Sequence, residues 1–269
     1  MREKPRAVLG VGGYVSVPIC VAAYTLRIPV YLQEQNASVG IANRFLGKLA
    51  KRVFLGFEQA KVSFAAQKVI VTGNPIRKEF TRSDFPEYQP NSNTLFVFGG
   101  SQGAIAVNNV IIDCLSELYL NYPGLRIIHQ TGEKECPRVK QAYAEKFQGP
   151  YEILPFINDM ASIYAKASLV ISRSGALTVS ELIQVGRPAI LIPFPRTGQN
   201  DQTDNARFLE QKGVGRMIEQ GERFKERFWQ VLVETFDPER LKLLAGNFSS
   251  LRGGSALVTI GDQIERDLN

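Results

Sequence analysis

Side chains that bind metals or cycle redox states are scarce in this chain, which has three cysteines and one histidine in 269 residues. Cys20, Cys114 and Cys136 are odd in number and far apart, with no Cys-x-x-Cys and no Cys/His pair. That argues against a zinc finger or a disulfide framework and fits a reducing compartment. No apolar run reaches transmembrane length, and the opening MREKPRAVLG is charged and too briefly apolar for a signal peptide. Any membrane contact is therefore expected to be peripheral. No repeat of 20–50 residues is visible. The net charge of +6, from 32 basic and 26 acidic residues, lacks the dense clusters of a nucleic-acid binder. It suits anionic small molecules, a membrane surface, or solubility alone.

What is present is ordinary globular material, 44% hydrophobic and 22% charged, enough for two α/β domains or one large one. Strand and helix signals alternate throughout, which predicts parallel sheets with helices on both faces. In the first part, strands are expected at 7–10, 29–33 and 68–72, with helices at 14–26 and 39–54. The polar, proline-rich SDFPEYQPNSN at 83–93 reads as a linker. A second unit follows, with strands at 94–98, 126–130, 151–154, 169–171, 189–193 and 215–218 and closing helices at 224–235, 238–251 and 256–268. The expected division is a partial first Rossmann-like domain at 1–82, the linker at 83–93, and a second Rossmann-like domain at 94–250. The final helix at 251–269 is expected to pack back on the first domain.

The most informative stretch is SLVISRSGALTVSE at 168–181, where a buried-strand pattern runs through a Ser/Gly turn into a helix. Such a turn leaves free N–H groups at the helix start, where the dipole favours an anion. Thr178 and Glu181 lie three residues apart on one face of that helix. A hydroxyl for phosphate and a carboxylate for a cis-diol suit a nucleoside diphosphate. Gly99-Gly100-Ser101-Gln102-Gly103 is a second such turn, between strand TLFVF and a helix, without the Gly-Lys-Ser/Thr ending of a Walker A loop. Both turns end strands at their carboxyl side, where doubly wound sheets bind ligands. Each has a plain alternative, a tight turn without a ligand and an exposed helix carboxylate.

Other candidates are weaker. The backbone N–H and C=O of Ile157, in PFINDM, could read an uncharged base; an Asn/Asp helix cap explains the polar residues equally well. Amides in GQNDQTDNA at 198–206 suit sugar hydroxyls, as does a solvated loop. Glu34-Gln35-Asn36 and Asn74-Pro75-Ile76-Arg77 end strands in the first unit and could face the same cleft. Arg44, Lys48 and Arg52 form a basic stripe on the expected helix 39–54, either for anionic lipid or as a solvated face. His129, the sole histidine, ends a strand and reads as structural. No Asp-x-Asp pair would hold a metal against a diphosphate, so developing charge would fall to helix N-termini and hydroxyls.

Together these segments resemble the MurG family, the lipid II-forming N-acetylglucosaminyltransferases of bacterial peptidoglycan synthesis. The matching stretches are VLGVGGYVSVP, EQN at 34–36, TGNPIR at 72–77, FGGSQGA at 98–104 and HQTG at 129–132. PFINDM at 155–160, SRSGALTVSEL at 172–182 and DQTDNA at 201–206 complete them in the family's order. The resemblance implies an α/β fold of GT-B type, two Rossmann-like doubly wound domains of which the first is incomplete. It implies transfer of GlcNAc from UDP-GlcNAc to the MurNAc C4 hydroxyl of undecaprenyl-pyrophosphoryl-MurNAc-pentapeptide (lipid I), with inversion, at the cytoplasmic membrane face. No cofactor, metal or nucleic acid is implied. Carried over, Asn36 and Gln202 would touch the donor sugar, Arg77 the nucleotide, Ser101 the diphosphate, and the backbone of Ile157 the uracil. Ala176, Leu177, Thr178, Val179, Ser180 and Glu181 would hold phosphate, sugar and ribose, with Glu181 on the diol. No catalytic base is assigned.

One departure is large. Nothing before Val8 matches the family's opening GGTGGH-type loop, which helps form the acceptor site. The chain is expected to keep the donor half and to lack much of the acceptor half, through a misplaced start, a truncated gene or a separate polypeptide. The competing readings are a non-catalytic UDP-sugar-binding module that needs a partner chain, and a UDP-GlcNAc 2-epimerase. The epimerase would demand carboxylates and a histidine in the cleft.

Overall fold

Runs of β-branched and aromatic residues set up two parallel sheets in the computed structural model, which describes residues 5–81, 85–195 and 201–269. In chain order the first contains β1 (Val8–Gly10), α1 (Ser16–Thr25), β2 (Val30–Glu34), α2 (Ile41–Leu46), β3 (Arg52–Leu55) and β4 (Val69–Val71). Its strand order is β1-β2-β3-β4. The side-chain period of two sorts its residues cleanly. Val30, Leu32, Val53 and Leu55 pack with Cys20, Ala23 and Leu46 on one face. Tyr31 and Phe54, set between them, turn to the other face.

The long helix expected at 39–54 is corrected. α2 stops at Leu46, and Arg52–Leu55 is a strand paired with both β2 and β4. Val53, Phe54 and Leu55 are each buried, on alternating faces, and so short an apolar run carries no period that separates strand from helix. Gly47 marks the break, since a Cβ there would press into the Phe64 ring. The stripe of Arg44, Lys48 and Arg52 does not form. Lys48 lies beyond the helix, and Arg52 sits in β3 with its Nε 3.1 Å from Asp267 Oδ2.

The second sheet is built from β5 (Thr94–Phe98), α3 (Ile105–Asn121), β6 (Arg126–Gln130), α4 (Cys136–Lys146), β7 (Tyr151–Leu154) and α5 (Met160–Lys166). It continues through β8 (Leu169–Ser172), α6 (Ala176–Val185), β9 (Ala189–Leu191), α7 (Asp201–Gln211) and β10 (Gly215–Met217). Its order is β10-β9-β8-β5-β6-β7, all parallel, so the chain reverses direction across the sheet between β5 and β8. In such sheets the ligand crevice lies outside the carboxyl ends of the strands at that reversal. Leu95, Val97, Ile127 and Ile171 join α3 on one face, while Phe96, Phe98, Ile128 and Val170 join α5 and α6 on the other. Three closing helices follow, α8 (Phe224–Thr235), α9 (Pro238–Gly246) and α10 (Ala256–Leu268). α10 returns to the first sheet, laying Ile260 and Ile264 on Tyr31, Phe54 and Ile70. All three cysteines are buried and unbridged.

His129 lies on β6 with no exposed surface, its Nδ1 3.1 Å from the Tyr143 hydroxyl and its Nε2 3.0 Å from Asn108 Oδ1. Burial lowers its pKa from 6.5 to about 3, so the ring stays neutral. The unfolded ring takes up a proton below its ordinary pKa, so the stability it supports is complete above that value. That stability drains as the pH falls toward the folded value. At ~1.4 kcal/mol per unit, about 2 kcal/mol should be gone by pH 5. Urea titrations at pH 7 and pH 5 should show this loss in the wild type and a flatter dependence in His129→Gln. Equal slopes would mean the ring is not held neutral.

Candidate functional site

The carboxyl ends of β5 and β8 are neighbours, with Phe98 in register with Ser172. The two turns read from the sequence therefore sit side by side at the sheet reversal. Residues 99–103 leave β5, and Gly100 and Gly103 take φ of +91° and +74°, which glycine adopts without strain. A Cβ at Gly103 would collide with the Thr131 carbonyl, so the loop lies flush against the turn after β6. From β8, Arg173-Ser174-Gly175 leads straight into α6. Gly175 is its N-cap without a side-chain cap bond, which leaves first-turn N–H groups unclaimed by side chains. Ser101 and Leu177 are exposed and Thr178 is half-buried, all on this surface. Phe156, Leu177 and Phe194, each exposed, follow the ends of β7, β8 and β9 and give the crevice an apolar rim.

The first sheet meets this surface through a polar seam. Asn205, on α7 and fully buried, accepts from the Ala37 N–H at 2.9 Å and donates to Asn36 Oδ1 and the Ser174 carbonyl, both at 3.2 Å. Asn74 donates from Nδ2 to the Gln35 carbonyl and Ser180 Oγ, each at 2.9 Å, and accepts from Gln33 Nε2. Glu34, 3% exposed, accepts from the Asn36 N–H and Asn43 Nδ2 at 3.0 Å each. Across the opening, Arg77 Nη2 stands 3.4 Å from Glu181 Oε1, with the guanidinium stacked 4.6 Å over Phe80. The Tyr164 hydroxyl lies 3.5 Å from the other Glu181 oxygen. Burial raises the Glu181 carboxyl above its ordinary range, and the charge of Arg77 partly offsets this.

Of the expected residues, Asn36 bonds Asn205 on α7, Arg77 reaches Glu181, and the Gln202 carbonyl accepts from Ser174 Oγ, while Ser101 lies in the turn after β5 and Ala176, Leu177 and Thr178 in the first turn of α6. Two do not present their side chains to the crevice. Val179 is fully buried in the core beneath α6, and Ser180 spends its hydroxyl on the Ala176 carbonyl while accepting from Asn74. The helical period turns both inward while Thr178 and Glu181 face the opening. The reading of Ile157 is narrowed as well, because its N–H already donates to Gln130 Oε1 at 2.8 Å. Gln202 Oε1 accepts from the Phe194 N–H, leaving its amide N–H groups to act. Residues 198–200 of the amide-rich stretch lie outside the described residues.

Sequence reasoning missed Gln130 and did not foresee the bridging roles of Asn205 and Asn74. Gln130 bridges the glycine loop and the Ile157 turn, donating to the Gly100 carbonyl at 3.0 Å. Asn205 and Asn74 bolt the sheets together, and their signal was present in the quoted DQTDNA and TGNPIR motifs without a geometry to interpret it. A cavity of about 980 Å³ opens on the α6 face that carries Ser180, Ile183 and Gln184, lined also by Asn74, Phe57 and Leu251. Glu181, Arg77 and Ser101 do not line it, so it is distinct from the crevice at the strand ends. Among the described residues no group of three His, Cys, Asp or Glu side chains gathers that could hold a metal. None of the described helices is long and apolar enough to cross a membrane.

Residues 94–245 match the glycosyltransferase family 28 C-terminal domain, and residues 1–55 match its N-terminal domain. A protein of Syntrophotalea carbinolica named UDP-N-acetylglucosamine--N-acetylmuramyl-(pentapeptide) pyrophosphoryl-undecaprenol N-acetylglucosamine transferase is 44% identical over 217 residues, covering 81% of this chain and 60% of its own length. An Anaeromyxobacter sp. (strain K) protein of the same name is 39% identical, covering 97% of this chain and 68% of its own. Among solved structures, Acinetobacter baumannii MurG superposes with a TM-score of 0.82 at 33% identity, covering 97% of this chain and 74% of that one. The S. aureus MnaA–UDP structure reaches 0.71 at 14% identity, which is a likeness of fold alone. The chain spans about 60% of the length of the Syntrophotalea protein.

Proposed function

The chain belongs to the MurG family of glycosyltransferase family 28, and from that premise we propose that it binds UDP-GlcNAc at the junction of its two sheets and serves GlcNAc transfer to lipid I. The observation that carries the reading is the adjacency of the two glycine turns at the reversal between β5 and β8, with Glu181 on the helix that leaves one of them, beside Arg77 of the first sheet. In this reading the N–H groups at the start of α6, the hydroxyl of Thr178 and Ser101 hold the diphosphate. Glu181 takes the ribose diol and the carbonyl of Ile157 meets the base edge. Asn36 and the free amide of Gln202 hold the sugar, each positioned by a bond already made, to Asn205 and to Phe194.

In the transfer, the acceptor hydroxyl oxygen forms a bond to the sugar C1 as the C1–O bond to the β-phosphate breaks. UDP leaves with that electron pair, and the hydroxyl proton passes to a base. A single displacement inverts the anomeric carbon. The negative charge that grows on the leaving diphosphate meets the positive end of α6 and the peptide N–H groups of residues 100–102, donors that need no reorganisation during the step. An acceptor with a long lipid puts this chemistry at a membrane surface in this reading, with peripheral attachment at the cytoplasmic face.

A second reading is a UDP-sugar-binding module, which rests on the same two glycine turns and Glu181 and asks for no acceptor site, and it is favoured over an epimerase. The epimerase reading asked for a histidine in the cleft, and the only histidine is sealed between Tyr143 and Asn108. Incubation of the purified protein with radiolabelled UDP-GlcNAc and lipid I separates these. Label in the lipid product supports the transferase, and saturable binding without product supports the module. Absence of binding overturns both.

A further inference from the structure

Two arginines are buried around the second sheet, at opposite ends of the same helix. Arg187 has no exposed surface and meets carbonyls where α5 and α6 finish, at the negative pole of each helix dipole. Arg173 is 9% exposed and stands two residues before Gly175, the N-cap of α6, at the positive pole. A cation suits the first place and not the second. The fold accounts for Arg187 and leaves Arg173 unexplained.

The local structure sharpens the contrast. Arg173 follows β8, and its Nη1 crosses to the end of β9, donating to the Ile192 carbonyl at 3.0 Å and the Pro193 carbonyl at 2.8 Å. The Pro193 carbonyl also accepts from Gln220 Nε2 at 3.1 Å, so it does not depend on the arginine alone. The guanidinium lies 5.4 Å from the ring of Phe194, on the rim of the crevice. Among the described residues no carboxylate pairs with Arg173, and nothing accepts from its Nε or Nη2. Burial lowers its pKa from the ordinary value, with no neighbouring anion to oppose the shift. An ion taken out of water without a counter-charge is costly, and sites of function are where such a cost is kept.

We propose that Arg173 is a diphosphate-binding residue. Its guanidinium, together with the first-turn N–H groups of α6, holds the anion of a nucleoside diphosphate. It takes up the charge that grows there as the bond from the sugar C1 to the β-phosphate oxygen breaks. The proposal deepens the donor-site reading and rests on it. Arg77, the cation that the motif offered, is 44% exposed and faces both Glu181 and Glu79. Arg173 has no such partner to give up among the described residues. Ser174, next in the chain, donates to the Gln202 carbonyl at 2.7 Å, which sets the cation beside the residue assigned to the sugar.

Calorimetric titration of UDP and of uridine into the wild type, Arg173→Met and Arg173→Lys tests this, with urea unfolding of each ligand-free protein. Methionine keeps an apolar stem and removes the charge. UDP affinity should fall about 10- to 150-fold in Arg173→Met, while uridine affinity stays within about twofold. The urea midpoint of that variant should not fall below the wild type's, because the charge opposes the helix dipole until an anion arrives. Arg173→Lys keeps a charge without the planar fork and should recover part of the lost UDP affinity. An Arg173→Met that does not fold, or a lower midpoint with the preference for UDP intact, would make Arg173 a structural group. Equal losses of UDP and uridine would mean that it only shapes the crevice, and a lysine variant no better than methionine would show that charge is not what it supplies. Each of these overturns the proposal. A wild type that binds no UDP takes down the donor site and the proposal together, whereas UDP binding that Arg173→Met leaves unchanged overturns the proposal alone.

Discussion

Replacing Arg187 with alanine is expected to destabilise the chain by roughly 3–5 kcal/mol, because buried carbonyls left without a donor cost about 1–3 kcal/mol each. Arg187 has no exposed surface and no carboxylate partner among the described residues. Its guanidinium is held by carbonyls instead: Nε to Tyr164 at 2.8 Å, Nη1 to Val185 at 2.8 Å, and Nη2 to Pro86 at 2.9 Å and Ala165 at 3.4 Å. Tyr164 and Ala165 close α5 and Val185 closes α6, so two helix C-termini point their negative dipole ends at one cation. Phe85 and Tyr88 add their ring faces at 5.4 and 5.5 Å. Burial lowers the guanidinium's pKa to about 10, which still leaves it charged at neutral pH. Removing it takes a donor from four carbonyls, of which only that of Tyr164 keeps a backbone donor among the described residues, the Ala167 N–H at 3.2 Å, and it unpins Pro86 from the second sheet. Lysine, with one ammonium in place of a planar fork, should recover less than half of the loss. Urea unfolding of the three proteins measures this, and a loss below 1 kcal/mol for Arg187→Ala would show that the carbonyls are satisfied by water.

Arg187 also shows where sequence reading stops. GRP between a helix and a strand looks like an ordinary turn with a surface cation; only the tertiary meeting of α5, α6 and residue 86 buries it. The same limit explains Asn205 and Gln130, whose roles arise from partners 168 and 27 residues away. By contrast, the second sheet was legible nearly strand for strand, because Thr94–Phe98, Arg126–Gln130 and Tyr151–Leu154 are short apolar or β-branched runs punctuated by glycine, proline or polar turns. The glycine turns were legible for the same reason: a strand, a flexible elbow and a helix start are local facts. Arg52–Leu55 was not, since residues buried on both faces of a sheet carry no alternation. Within α6, spacing correctly paired Thr178 with Glu181, while a motif carried over whole swept in Val179 and Ser180, whose side chains the helix turns away.

Glu181→Ala should weaken UDP binding by about 10- to 150-fold, the equivalent of roughly 1.5–3 kcal/mol for hydrogen bonds to a charged group. Without ligand Glu181 faces Arg77, and that pair must loosen when a diol takes the carboxylate. The cost is small, because Arg77 is 44% exposed and such pairs contribute at most about 1 kcal/mol. The ribose bonds therefore dominate the balance. Glu181→Gln keeps the shape and one acceptor and should lose less. Because burial raises the Glu181 carboxyl, the active carboxylate is lost on acidification sooner than an ordinary glutamate would be. UDP affinity should fall accordingly in the wild type and stay level in Glu181→Gln. Calorimetry with UDP and 2′,3′-dideoxy-UDP closes the cycle. If Glu181 holds the diol, the wild type prefers UDP and Glu181→Ala does not distinguish the two. A variant that keeps the full preference would move the ribose elsewhere and with it the orientation of the whole nucleotide.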